Sequence, residues 1–440
     1  MEKAIKELKI NRYPTYKDSE VNWIGEIPES WEIQKGKWLF VKQERPVRKD
    51  DEIITCFRDG QVTLRTNRKT EGFTNALKEH GYQGIRKGDL VIHNMDAFAG
   101  AIGVSDSDGK STPVYSACTP RKQGIVNPYF YAYLLKNLAK IGFIESLAKG
   151  IRERSSDFRF NDFGVLFLSV PPINEQAAIA NFLDHKTTLI DQAIGIKEKQ
   201  IELLKERRQI LIHNAVTRGL KPNVKKKDSG VEWIGEIPEH WEVKRLSAFG
   251  RFSKGGGISR AELTETGLPA ILYGDIYTKY DLFIKDVYHK VSEETAKKSI
   301  PINRNIILFT GSGETMEDIG KCVVYLSDET AFAGGDVIIY TQSENDSLFL
   351  SYALNTEGAK FEKAKSSKGE IIVHTYGSKL KEIKIAIPPK NEQMMISQFI
   401  ETSNQKIATA ISLKIKEIEK LREYKASLIN SAVTGKIKVS

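Results

Sequence analysis

The residues best suited to chemistry in this chain are forked and amide hydrogen-bond donors. Arg65-Thr66-Asn67-Arg68 places two guanidinium groups around one carboxamide. In nucleic-acid recognition Arg matches guanine O6/N7 and Asn matches adenine N6/N7, and either can hold a phosphate. This tetrad lies in segment 35–69, which carries ten Lys/Arg against five Asp/Glu and includes Arg58 and Lys69. A second basic cluster, 149–159, contains Arg152, Arg154 and Arg159. Its positional counterpart later in the chain holds Lys363, Lys365, Lys368 and His374, followed by Tyr376. His93 and Asn94 close one predicted strand, Ser312 follows another, and Lys254 completes the candidate DNA-binding set. Basic clusters that recur in both halves favour a polyanion surface over scattered solvated charge.

Motifs for autonomous catalysis are absent. A phosphate-cradling loop needs G-x-x-x-x-G-K-[ST], but Gly103 and Gly109 are separated by five residues, and Asp108-Gly109 reads as a hairpin turn. Thr310-Gly311-Ser312-Gly313 lacks the spacing of a dinucleotide loop, and no H-E-x-x-H or G-x-S-x-G occurs. Asn127-Pro128-Tyr129-Phe130 lacks the second proline of an amino-methyltransferase motif. No metal site and no catalytic residue is therefore assigned.

Composition agrees with a binding role. The 440 residues are 40% hydrophobic, enough for real cores, with a formal net charge of +9. Cys56, Cys118 and Cys322 form no C-x-x-C pair and read as buried thiols of a reduced cytoplasm. No signal-peptide pattern and no membrane-length apolar run is present, so a cytoplasmic protein is expected.

The elements that must position these residues are duplicated. DSEVNWIGEIPESWEIQK (18–35) and DSGVEWIGEIPEHWEVKR (228–245) share twelve of eighteen positions at an offset of 210. PPINEQAAIANFLDHKTTLIDQAI (171–194) and PPKNEQMMISQFIETSNQKIATAI (388–411) share ten of twenty-four at an offset of 217. NAVTRG (214–219) then faces SAVTGK (431–436). The interiors, roughly 37–160 and 247–375, show little similarity by eye.

After each Pro-Pro pair, with Asn174 and Asn391 as expected N-caps, a helix of about 45 residues and ~65–70 Å is predicted. Such length points to a coiled coil. The apolar seam is Leu183, Ile190, Ile194, Ile201, Leu204 and Leu211 in the first helix. In the second it is Ile400, Ile407, Ile411, Ile418, Leu421 and Leu428. Polar breaks recur at Thr187/Asn404, Lys197/Lys414 and Arg208/Lys425, as register devices. Two helices of equal length and seam in one chain imply an antiparallel pair about an approximate two-fold axis.

Each interior reads as mixed α/β. Predicted strands cover 88–95, 100–106 and 163–170 in the first, and 305–311, 320–327, 336–342 and 383–388 in the second. Helices are predicted at 128–140 and 348–356. The division expected is a domain at 1–172, a helix at 173–222, a domain at 223–389 and a helix at 390–440.

The W-I-G-E-I-P-E-x-W-E frame, the PPxxEQxxIxxF turn, the long helices and the terminal A-V-T resemble the specificity subunit of type I restriction–modification systems, over nearly the whole chain. The resemblance implies two target-recognition domains, each reading half of a bipartite double-stranded DNA site. The coiled coil would set the spacer between them. It also implies two methyltransferase subunits, which carry S-adenosylmethionine and flip and methylate adenine, and translocating endonuclease subunits. No cofactor is expected on this chain itself. Two alternatives stand beside it: a DNA-modifying enzyme with unrecognised motifs, and a coiled-coil scaffold without a DNA role.

Overall fold

A computed structural model describes residues 11–68, 79–147, 157–313, 319–365 and 373–439. It divides into two compact units, Met1–Lys197 with Ile415–Ser440, and Glu198–Lys414.

In the first unit the frame motif folds as two small antiparallel pairs. Tyr16–Asp18 pairs with Glu26–Pro28, and Glu32–Lys35 pairs with Phe167–Val170. Between them Trp31 is wholly buried. The main sheet has the order Phe40–Lys42, Tyr115–Pro120, Leu90–His93, Ile102–Val104, all antiparallel. Leu90, Val91 and Ile92 are fully buried in succession, because this inner strand is covered on both faces. Val91 packs with Ile54, Val62, Ile85 and Ala117. The helix Pro128–Lys140 buries Phe130, Tyr131, Leu134, Leu135 and Leu138. Its start is fixed by the Asn127 side chain, which accepts the Tyr129 N–H at 3.0 Å, with proline in the first turn.

The second unit repeats this plan. Lys226–Asp228 pairs with Glu236–Pro238, and Glu242–Arg245 pairs with Lys384–Ile387 around the wholly buried Trp241. Its sheet runs Gly250–Lys254, Val337–Gln342, Ile307–Thr310, Cys322–Tyr325, with Phe283–Ile284 added in parallel at the edge. The first four strands follow the order seen in the first unit. The interiors that look unrelated as sequence therefore share one sheet, because a buried strand asks only for apolar residues of fitting volume. A second five-stranded sheet, built from segments between Leu263 and Ala333, is found in this unit alone among the described residues.

Several expectations are corrected. Residues 163–165 are not strand: a helix, Phe160–Val165, precedes the strand Phe167–Val170. Gly109–Ser111 pairs with Gln83–Ile85 instead of folding back on Ile102–Val104, so Asp108-Gly109 is no hairpin turn. Asn174 and Asn391 lie within the first helical turn, and the carbonyls of Pro172 and Pro389 accept the first N–H bonds.

The long helices span Ile173–Arg218 and Lys390–Val433. None of the twelve predicted apolar seam residues is exposed. Within the first unit Asp191 meets Lys425 at 2.7 Å and Lys197 meets Glu417 at 2.6 Å, so the segments run antiparallel. Within the second unit Arg208 Nε donates to Asn404 Oδ1 at 3.2 Å, and Ile212 and Val216 share a core with Ile396 and Ile400. Four of the polar breaks, Lys197, Arg208, Asn404 and Lys425, are thus satisfied inside the chain.

Both helices end on a left-handed glycine seated against a frame tryptophan. Gly219 (φ +72°) abuts Trp241, and Gly435 (φ +74°) abuts Trp31 and Pro28. Each unit thereby contains its own frame, the start of one long helix and the end of the other. All three cysteines are buried and free, and no described helix is long and apolar enough to cross a membrane.

Candidate nucleic-acid interface

Each unit carries a cleft at the same corner of its sheet. In the second unit the cleft has a volume of about 810 Å³ and is lined by Lys254, Ser312, His374 and Tyr376, four of the residues singled out from sequence. Arg251, Ser378 and Lys381 also line it. Lys254 and Asp336 border a further cleft of about 1110 Å³, which adds Arg260, Lys279 and His289. In the first unit the cleft is about 480 Å³ and gathers Asn94 and Arg159 with Lys42, Asp157 and Asn161.

The two clefts are built alike. The strand ending at His93 is followed by Asn94, whose carbonyl accepts the Phe158 N–H at 3.0 Å. At the offset of 217, the Gly311 carbonyl accepts the Thr375 N–H at 2.9 Å. Arg159 and Tyr376, also 217 apart, are the residues that start the helices Phe160–Val165 and Gly377–Leu380. Six wall positions correspond at this offset. Asn94, Met95 and Asp157 match Gly311, Ser312 and His374. Arg159, Phe160 and Asn161 match Tyr376, Gly377 and Ser378.

The side chains at these walls are oriented by neighbours. Ser312, buried on its strand, lies 3.0 Å from His374 Nδ1. Thr375, next to His374 in sequence, is buried, and its hydroxyl has no hydrogen-bond partner among the described residues. In the first cleft Arg159 Nε donates to Asp157 Oδ1 at 2.7 Å, and this bond raises the guanidinium pKa. Asn94 Oδ1 accepts from Ser116 Oγ at 3.0 Å.

The other candidates fall elsewhere. Arg58 pairs with Asp96 at 2.9 Å. Arg65 Nε donates to Thr55 Oγ1 at 3.3 Å, and Asn67 bonds Thr63 at 2.9 Å. Arg68 pairs with Asp59 at 2.7 Å while lying over the Phe57 ring. The tetrad is thus tied to its own hairpin and does not line the cleft. His93 is half-buried against Tyr115, and burial lowers its pKa, with the Asp96 charge opposing. Lys365 pairs with Glu362 at 3.2 Å, away from the cleft. Lys69, Arg152, Arg154 and Lys368 lie outside the described residues.

The arrangement offers cationic and amide donors around a concave wall, which suits a polyanion with readable edges. Known proteins agree. The family model for the type I restriction modification DNA specificity domain matches residues 238–420. The type I restriction enzyme MjaVIII specificity subunit of Methanocaldococcus jannaschii is 25% identical over 94% of this chain and 94% of its own length. The putative type I restriction enzyme MjaX specificity subunit of the same organism is 25% identical over 94% of this chain and 96% of its own length. The chain is similar to type I specificity subunits along nearly its whole length. Two solved structures share the fold. A chain from a type I R-M system gives a TM-score of 0.69 at 15% identity, covering 92% of this chain and 98% of its own. The HsdS subunit from Thermoanaerobacter tengcongensis gives 0.56 at 14% identity, covering 93% and 98%.

Of the cleft residues, Lys42, Met95, Asp157, Phe160 and Asn161 were missed from sequence, as were Arg251, Ser378 and Lys381. The signal that could have found several of them was the offset itself. Carrying 217 inward from the PPxxEQ turn aligns 157–161 with 374–378 although no residue there is identical.

Proposed function

We propose that this specificity subunit directs a type I restriction–modification complex to a bipartite double-stranded DNA sequence. Each domain reads one half of the site at its cleft. The division is that of sequence: domains at 1–172 and 223–389, helices at 173–222 and 390–440. The long helices set the spacer and, with the repeated frames, receive two methyltransferase subunits that carry S-adenosylmethionine. Endonuclease subunits join that assembly. The chain itself contributes recognition, not chemistry.

The observation that carries this reading is the recurrence of one cleft, on one backbone plan, with different side chains at its matched walls. Equal frames suit equal partners, and unequal walls suit unequal half-sites. Lys254, Lys381 and Arg251 supply cations for phosphates, and the oriented Arg159 and His374 supply base-edge donors.

The test is reconstitution. The purified chain alone should neither methylate nor cleave DNA. Mixed with its methyltransferase it should confer methylation confined to one sequence. Methyl transfer or cleavage by the chain alone would establish an enzyme, and sequence-independent methylation by the assembly would leave only a scaffold.

A further inference from the structure

The matched walls differ most sharply at one pair of positions. Where the first cleft has Arg159, the second has Tyr376. A guanidinium can present two parallel N–H donors, whereas a phenol presents one hydroxyl.

Arg159 is exposed over 68% of its side chain, yet it is not loose. Its Nε is engaged by Asp157 Oδ1 at 2.7 Å, which leaves the two terminal nitrogens directed away from that bond. Its backbone N–H is held by Asp162 Oδ2 at 3.0 Å, so both ends of the residue are fixed. An Arg held in this way has lost much of the rotamer freedom that binding would otherwise remove.

Asp157 also discriminates between kinds of target. Its carboxylate lies beside the guanidinium and lines the same cleft. A phosphate brought to Arg159 would face that second negative charge at short range. A base edge is neutral and does not. Guanine O6 and N7 match the terminal fork, and a carboxylate can accept from the cytosine amino group in the same groove. Asn161 and Asn94, at the same wall, supply amides for a neighbouring base.

We infer that Arg159, positioned by Asp157, reads a guanine in the half-site of the first domain, and that Tyr376 removes this guanine requirement from the matched position in the second. The inference rests on the reading of each cleft as a half-site reader. It assigns Arg159 as a base-contacting residue and Asp157 as a positioning residue.

The experiment uses the complex assembled with its methyltransferase and maps methylated sites for the wild type, Arg159→Lys, Arg159→Ala and Asp157→Asn. Thermal melting of each complex is measured alongside. The wild type should require a G·C pair at one position of one half-site. Arg159→Lys, which keeps the charge but not the fork, and Arg159→Ala should both relax that position by roughly 10- to 100-fold. The other half-site should be unaltered. Asp157→Asn should relax the same position by a smaller factor, a change in base preference that a loss of folding alone does not produce.

An unchanged motif in Arg159→Ala would overturn the inference. So would weakening that is uniform across sequences with a shallower salt dependence, the mark of a phosphate contact. Failure of the wild-type complex to show any sequence preference would instead strike the underlying specificity reading.

Discussion

Gln176 accepts the backbone N–H of Asn127 through Oε1 at 2.8 Å. Its amide nitrogen donates to the carbonyls of Pro171 at 2.8 Å and Ile125 at 3.0 Å. Gln393 repeats the clamp, accepting from Asp346 N–H at 2.8 Å and donating to Pro388 at 2.8 Å. Both glutamines are buried. The repeated E-Q of the PPxxEQ turn is thus a joint between the start of a long helix and the helix behind the sheet. Gln176→Leu strands an N–H and two carbonyls, at a cost of about 3 kcal/mol or more. Urea unfolding should show that loss, and a midpoint within error of the wild type would show the clamp to be dispensable.

The seam offers a contrast between apolar and ionic contacts. Ile400 is fully buried, so Ile400→Ala should cost about 2–5 kcal/mol. Asp191 is 58% exposed in its pair with Lys425, so Asp191→Ala should cost less than about 1 kcal/mol, and less still in high salt. Comparable losses from the two substitutions would mean that the ion pair, not the apolar seam, holds the helices together.

Two glycines should respond in opposite directions to alanine. Gly435 has φ +74°, and a Cβ there would lie 2.5 Å from Pro28 Cδ, so Gly435→Ala should destabilise by more than the ~1–2 kcal/mol of left-handed strain alone. Gly195 lies inside the first long helix with nothing within 4 Å of its Cβ direction, so Gly195→Ala should stabilise by up to about 1 kcal/mol. Calorimetry of the two variants checks both signs, and a stabilised Gly435→Ala would contradict the helix-end account.

Lys363 makes a pH prediction. It is wholly buried, donates to the Gly320 and Leu354 carbonyls at 2.7 and 2.8 Å, and burial pushes its pKa down to about 8 from an ordinary 10.5. Folding therefore disfavours its proton, and the penalty is present below pH 8. Stability of the second unit should rise between about pH 8 and 10.5, by roughly 3 kcal/mol in total from this group. Lys363→Met should remove that rise relative to the wild type. Parallel pH profiles for the two proteins would exclude Lys363 as its source.

Much of the fold was legible because its signals are periodic or repeated. The seam from Leu183 to Leu428 follows a heptad, and the helix at 128–140 carries Asn and Pro at its start. The site was harder to read. Arg58 and Arg68 look like DNA readers in sequence, but Asp96 and Asp59 occupy their terminal nitrogens. Arg159 is held through Nε by a carboxylate two residues away, and among the described residues its terminal fork makes no other bond. Composition cannot separate an Arg that is occupied from one that is aimed. The shared sheet order was hidden for a related reason. Val91 and Leu308 need only be apolar to sit in equivalent inner strands, so identity decays while topology persists.

The central claim is that two different domains in one repeated frame read two halves of one DNA site. The most direct measurement is a genome-wide map of methylated adenines in the source cells with and without this gene. The account predicts a motif of two dissimilar halves around an unread spacer, lost completely on deletion, with the spacer lengthened when one heptad is inserted into both long helices. A methylation map unaltered by the deletion would contradict it.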